Sequence, residues 1–107
     1  MESGNLFAPL PAERGRESVE ALLSRPGVRL ERIVSFGQAT PAGQWYDQPH
    51  DEWVILLAGR AELSIEGERE RRVLDPGDFL LLPAHLRHRV AATAGGEATV
   101  WLALHLG

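Results

Sequence analysis

"EWVILLAGRAELSIEG", residues 52–67, changes character at its midpoint. From Trp53 to Ala58 it is a continuous apolar run, the pattern of a strand covered on both faces. Gly59 and Arg60 interrupt it. Ala61, Leu63 and Ile65 then alternate with Glu62, Ser64 and Glu66, the two-residue period of a strand with one buried face. Gly67 marks a hairpin tip. Two strands in close succession, with no helical period between them, set an all-β reading for the chain around them.

Working outward, the same grammar continues. "ERRVL" (70–74) returns to "DPGD" (75–78), a strong turn built on Pro76 and Gly77. "FLLLP" (79–83) reads as a short buried strand. "LRHRVA" (86–91) alternates, with Leu86, His88 and Val90 on one face and Arg87 and Arg89 on the other. "AGGE" is a turn, and "ATVWLALHL" (98–106) is the last strand. Upstream, "VRLERIVSF" (28–36) is rich in β-branched and aliphatic residues and precedes the loop "GQATPAGQ". About seven or eight short strands with frequent turns argue for a small antiparallel barrel or sandwich. No β-α-β alternation points to a parallel sheet. Only "ESVEALLS" (17–24) breaks the pattern. Val19, Leu22 and Leu23 fall at helical spacing, and "RPG" would stop a short helix there. Residues 1–27 are thus expected as an extended arm, pinned by Leu6, Phe7 and Leu10, and a short helix. Residues 28–107 are expected as the barrel, the whole forming one folded domain.

Composition narrows the function classes. The 107 residues are 44% hydrophobic and 24% charged, enough for one core in a soluble domain. No apolar stretch approaches the roughly 18 residues that span a bilayer, and "MESGNLFAPL" does not have the form of a signal peptide. A cytoplasmic protein without a membrane partner is expected. With no Cys, disulfides and thiolate metal sites are excluded. The net charge is -4, and Arg69, Arg71 and Arg72 interleave with Glu66, Glu68 and Glu70. That is a solvated hairpin surface rather than a phosphate-binding patch, so nucleic acid is not an expected partner. Every basic residue is Arg; there is no Lys.

Chemistry concentrates in "WYDQPHDEW" (45–53) and "PAHLRHRV" (83–90). In an extended chain Tyr46, Gln48, His50 and Glu52 share a face, with Pro49 a local disturbance. Glu52 then shares its face with Val54 and Leu56, at the edge of the barrel interior. A buried carboxylate is costly unless paired or metal-bound. His88 sits between Leu86 and Val90 on an apolar face, either as a hydrogen-bonded core residue or as a ligand. His85 lies in the turn before it. His105 shares a face with Trp101 and Ala103. Histidines and carboxylates from different strands are the usual donors for Zn, Mn, Fe or Ni, and two His with one carboxylate leave positions open for substrate.

These stretches resemble the two motifs of a single-domain cupin, a conserved double-stranded β-helix, or jelly-roll-like antiparallel barrel. The first cupin motif runs G-x5-H-x-H-x(3–4)-E-x6-G; here Glu52 is followed by six residues and then Gly59. The second runs G-x5-P-x-G-x2-H-x3-N; here Gly77, Pro83 and His88 fall in register within "DPGDFLLLPAHLRH". The departures are specific. Tyr46 and Gln48 stand where the first motif has its histidines. His85 stands at the second motif's Gly, and Ala92 at its Asn.

The resemblance implies a small-molecule-binding cupin, metal-dependent, with dioxygenase, isomerase or lyase chemistry. Glu52 and His88 would hold a divalent Fe, Mn, Ni or Zn, with His85 or His50 substituting for the missing imidazoles. Tyr46 and His105 would serve acid–base or substrate-orienting roles. Gln48, Asp47, Trp45 and Trp101 would contact the ligand, Trp53 being a further candidate for a stacking wall. The alternative is a non-catalytic module that binds a sugar or organic acid without metal. A homodimer is expected from the apolar arm and the two-sided run "WVILLA", as in cupins resembling this one. A purely structural dimer with a vestigial pocket is the third possibility.

Overall fold

The computed structural model describes all 107 residues and contains eight strands. They are β1 (Ser18–Arg25), β2 (Val28–Ser35), β3 (Asp51–Ala58), β4 (Ala61–Ile65), β5 (Arg72–Leu74), β6 (Phe79–Leu82), β7 (His88–Thr93) and β8 (Thr99–Leu106). A five-stranded sheet runs β1-β2-β8-β3-β6 and a three-stranded sheet runs β5-β4-β7. All pairings are antiparallel. The fold is all-β, as the alternation requires. No helix is long and apolar enough to cross a membrane.

The core forms where inward residues of the two sheets meet. Val54 and Leu56 of β3, Leu82 of β6 and Trp101 of β8 pack with Ala61, Leu63 and Ile65 of β4 and Leu74 of β5. The alternation read in β4 is observed directly, with Ala61, Leu63 and Ile65 buried and Glu62 and Ser64 half-buried. β3 lies between β8 and β6, hydrogen-bonded on both edges. Its apolar run therefore serves two faces. Val54 and Leu56 point to the core, while Trp53 and Ile55 point outward beside Leu104, Leu102, Leu81 and Phe79.

Two expectations need correction. Residues 17–24 do not form a helix; Ser18–Arg25 is β1, paired with β2 along its length. An eight-residue helix is marginal in isolation, whereas the β2 edge offers a full ladder of backbone partners. The register slips between Ala21 and Leu23. Such a bulge breaks the two-residue period, which explains how strand spacing imitated helical spacing at Val19, Leu22 and Leu23. "FLLLP" is only half-buried in sense. Leu82 is buried, but Phe79 and Leu81 are 60% and 57% exposed, because β6 is an edge strand whose outer face has no cover.

The N-terminal arm is held by polar contacts, and of the three apolar side chains expected to pin it only Leu6 is half-buried. The Arg32 guanidinium donates to the carbonyls of Leu6 (3.4 Å) and Pro9 (3.0 Å) and pairs with Glu20 at 2.9 Å. Phe7 and Leu10 remain exposed.

Gly59 closes β3 at φ 84°, where L-residues are strained. A Cβ there would stand 2.7 Å from the Thr99 Cα and 2.9 Å from the Ala98 carbonyl oxygen, both backbone. Gly59→Ala therefore combines a left-handed backbone penalty with a clash that no side-chain rotation relieves. A loss of at least ~2 kcal/mol is expected in urea unfolding. An unchanged midpoint would contradict this packing.

Candidate functional site

Between the sheets lies a partly enclosed cavity of about 200 Å³. Strand parity decides which side chains enter it. Glu52 follows Val54 and Leu56 inward at the start of β3. His105 follows Trp101 and Ala103 inward on β8 and is the cross-strand partner of Glu52. His88 opens β7 and shares the cavity with Val90. Tyr46 and Gln48 line it as well; His50 does not. The parity expected through residues 46–52 thus fails at His50, beside Pro49.

Backbone pairing brings the two motif segments together. Tyr46 N–H donates to the His88 carbonyl (2.8 Å), and His88 N–H donates to the Tyr46 carbonyl (3.2 Å). One step along, His85 N–H donates to the Gln48 carbonyl at 2.7 Å. Asp51 Oδ1 accepts from Ala84 N–H at 2.9 Å. These bonds place His88 beside Glu52. A carbonyl can only accept, so His88 Nδ1–H donates to the Leu86 carbonyl (2.9 Å). Its Nε2 is left facing Glu52 Oε1 at 3.7 Å, longer than a good hydrogen bond. Both side chains are nearly buried, at 8% and 12% exposure.

A second chain of polar groups runs through the cavity wall. Arg29 Nε–H donates to Glu31 Oε2 at 3.0 Å. His105 Nε2–H donates to Glu31 Oε1 at 2.9 Å. The other nitrogen of His105, Nδ1, lies 2.9 Å from His50 Nε2. With His105 neutral, His50 Nε2–H is then the donor between the rings. Arg29 and Glu31 were missed in the sequence. Their signal was parity: both share a face with the cavity residue Ile33 in "VRLERIVSF".

The remaining candidates stand apart. His85 adopts φ 66°, the conformation for which the cupin motif uses Gly at this position. Its exposed ring meets Asp47 Oδ1 at 3.0 Å, outside the cavity. Trp45 lies beneath the Arg87 guanidinium, 5.5 Å from its carbon to the ring centroid. Trp101 does line the cavity; its buried indole N–H has no hydrogen-bond partner.

The Cupin domain family model matches residues 32–105, spanning both motif segments and the strands that carry the cavity. The chain belongs to the cupin family. A Ralstonia eutropha JMP134 structure, described as a candidate mannose-6-phosphate isomerase, is similar to this cupin at 53% identity and TM-score 0.96. That match covers 99% of this chain and 98% of the other. A cupin superfamily protein of Desulfitobacterium hafniense DCB-2 shares the fold at 21% identity and TM-score 0.79, covering 99% and 92%. Over 56 residues the cupin is 41% identical to a 3-hydroxyanthranilate 3,4-dioxygenase of Burkholderia lata. That alignment covers 50% of this chain, which spans about a third (32%) of the relative.

The residues present do not fit the family's transition-metal centre. Glu52 and His88 approach each other, but no three His, Asp or Glu side chains converge on one point. His105 has both nitrogens engaged, on opposite sides of its ring. His50 is spent on His105, and His85 faces Asp47. Tyr46 and Gln48 occupy the two vacated imidazole positions. Catalytic metal sites normally rest on at least three protein ligands, and this cavity supplies two strong ones.

Glu17 stands at the cavity rim, accepting the Ser35 hydroxyl at 3.1 Å. Burial of the carboxyl pushes its pKa up, opposed by that hydrogen bond. The fold therefore favours the protonated acid. Its contribution is most favourable at low pH and declines as pH rises from the unfolded value through the raised folded one. Glu17→Gln should be more stable than the parent at pH 7, by a small margin because the carboxyl is only partly withdrawn from solvent at the rim. The difference should vanish below the unfolded carboxylate pKa. Parallel thermal melts at pH 7 and pH 3.5 check this; a difference that grows on acidification contradicts it.

Proposed function

We propose that this cupin binds a compact small molecule in the cavity between its sheets, without a resident metal, and that Glu52 and His88 are its recognition pair. The observation that carries this reading is the Glu52–His88 pair itself. Two nearly buried groups face each other across 3.7 Å, in a cavity whose other family-ligand positions hold Tyr46 and Gln48. The pair is too far apart to satisfy itself and too sparse to hold a metal well. A ligand hydroxyl or amine set between them would complete the hydrogen bonds of both. The names carried by the Ralstonia structure and the Burkholderia relative, an isomerase and a dioxygenase, support a small-molecule ligand in general terms.

The cavity volume limits the ligand. At about 200 Å³ it lies below the roughly 300–1,000 Å³ of drug-sized pockets. It is too small to enclose a nucleotide or an oligosaccharide. His88, with Nδ1–H fixed on Leu86, presents Nε2 to whatever enters. Glu52 beside it can accept or return a proton. Acid–base chemistry on a bound hydroxyl or carbonyl is therefore open to the pair without further groups.

Metal analysis of untagged protein, together with a thermal-shift panel in EDTA, tests this. Less than about 0.1 Fe, Mn, Ni or Zn per chain is expected. A ligand at 100-fold its Kd should stabilise by about 2.7 kcal/mol, raising Tm by roughly 10 °C or more. Glu52→Ala and His88→Ala should abolish that rise. Stoichiometric metal that is lost in both variants would overturn the metal-free reading in favour of a metal-dependent enzyme.

We also propose that a second copy of the chain covers the outer face of the five-stranded sheet. Phe79 and Leu81 are exposed there, with Trp53 against Phe79 at 5.6 Å between centroids. The β6 edge leaves ladder donors and acceptors unpaired beside them, a common route to pairing between chains. Light scattering at micromolar concentration should give twice the 11.8 kDa chain mass, falling to one chain in Leu81→Glu. A parent protein that is monomeric at that concentration would rule the dimer out.

A further inference from the structure

The charges around the cavity are lopsided. Three carboxylates line it, Glu17, Glu31 and Glu52, against a single guanidinium, that of Arg29. Arg29 is already ion-paired, because Glu31 accepts its Nε–H at 3.0 Å, and its side chain is 47% exposed to screening solvent. Glu31 also accepts His105 Nε2–H at 2.9 Å, so both its oxygens are satisfied. Glu52 has only the His88 imidazole before it, at 3.7 Å. Glu17 accepts one hydroxyl, from Ser35. No other Arg lines the cavity, and the chain has no Lys.

An incoming anion would meet this arrangement badly. A phosphate or carboxylate would need a free guanidinium or ammonium, and the one cation present is neutralised by its neighbour. It would also lie near carboxylates in a setting where apolar walls weaken solvent screening. A cation meets the reverse. Glu52 is 12% exposed and lacks a close cationic partner, a costly state that a bound ammonium would relieve. Tyr46 and Trp101 line the same space, and aromatic rings attract cations.

We propose that the ligand is a compact organic cation, an amine whose ammonium is held by Glu52 and whose body rests on the apolar wall of Ile33, Val54 and Leu63. Glu17 adds attraction at the rim. This rests on the small-molecule reading above and gives it a charge class. Specificity follows from the same geometry. A neutral analogue loses the charge-assisted bond to Glu52, and an anionic analogue adds repulsion.

Isothermal titration of the full chain in EDTA, using skeletons matched in size, tests the proposal. Benzylamine and butylamine would be compared with their alcohol and carboxylate counterparts. The amines should bind about tenfold or more tightly than the alcohols, and the carboxylates weakest of all. Amine affinity should fall as salt rises. The isosteric Glu52→Gln should lower amine affinity about tenfold and leave the alcohols within about threefold. Glu17→Gln should cost a few-fold. Circular dichroism of both variants confirms that they fold. If the carboxylates match or exceed the amines, or if Glu52→Gln weakens all classes equally, the cation proposal falls and small-molecule binding stands. It falls in the same way if uncharged sugars or sugar phosphates bind and no amine does. If no compound of any class binds, both fall together.

Discussion

The position of β3 between β8 and β6 is the constraint on which the rest depends. A strand paired on both edges cannot slip or rotate without breaking two ladders at once. Its facing is therefore fixed residue by residue. Val54 and Leu56 must face the core, so Glu52 must face it too. That is how a carboxylate comes to stand in an apolar cavity: its parity is set by the burial of its neighbours. The same facing sends Trp53 and Ile55 outward, where they join Leu102 and Leu104 of β8 and Phe79 and Leu81 of β6. One pairing pattern thus creates both the polar floor of the cavity and the apolar outer face.

Around that floor the polar side chains are sorted by how fully they are partnered. The Arg29–Glu31–His105–His50 chain is closed, each group holding the next at 2.9 to 3.0 Å. Its two inner members, Glu31 and His105, have both of their side-chain polar atoms engaged, which favours a polar network at a partly buried position. Closure also removes His105 and His50 from any role that needs a free lone pair converging on Glu52. The Glu52–His88 pair is the open counterpart. His88 is held from behind by the Leu86 carbonyl and by the Tyr46 bridge, and its free nitrogen stays 3.7 Å from Glu52. That geometry supports the proposed recognition role of the pair.

Much of this was legible in the sequence. The inward set of β4, the facing of Glu52, the company of His88 with Val90, and the face shared by His105 and Trp101 all follow from a period of two. The cupin spacing from Glu52 to Gly59 and from Gly77 to His88 marked the family on its own. What was not legible falls where local pattern is overruled. The β1 segment looked helical because one bulge restored a helical spacing. His50 left its expected face near Pro49, so a residue grouped with the metal donors lies instead behind His105. His85 tolerates a left-handed backbone at a glycine position, which turns its ring toward Asp47. Arg29 and Glu31 were passed over because "VRLERIVSF" carries apolar and charged residues on both faces, so composition masked the parity that aims them inward.

A cupin that gives up imidazoles at Tyr46 and Gln48 changes more than its affinity for metal. A divalent ion would neutralise Glu52 and supply the positive charge that draws anionic or oxygen-rich ligands into such cavities. With Tyr46 and Gln48 in place, no protein group takes over that charge: the sole cavity guanidinium is matched by Glu31. The carboxylate kept from the metal-binding pattern is then left as an uncompensated anion in an apolar setting. The two departures from the motif are therefore coupled to the residue that was kept. Losing the histidines while retaining Glu52 inverts the electrostatic preference of the cavity, from a site that presents positive charge to one that seeks it.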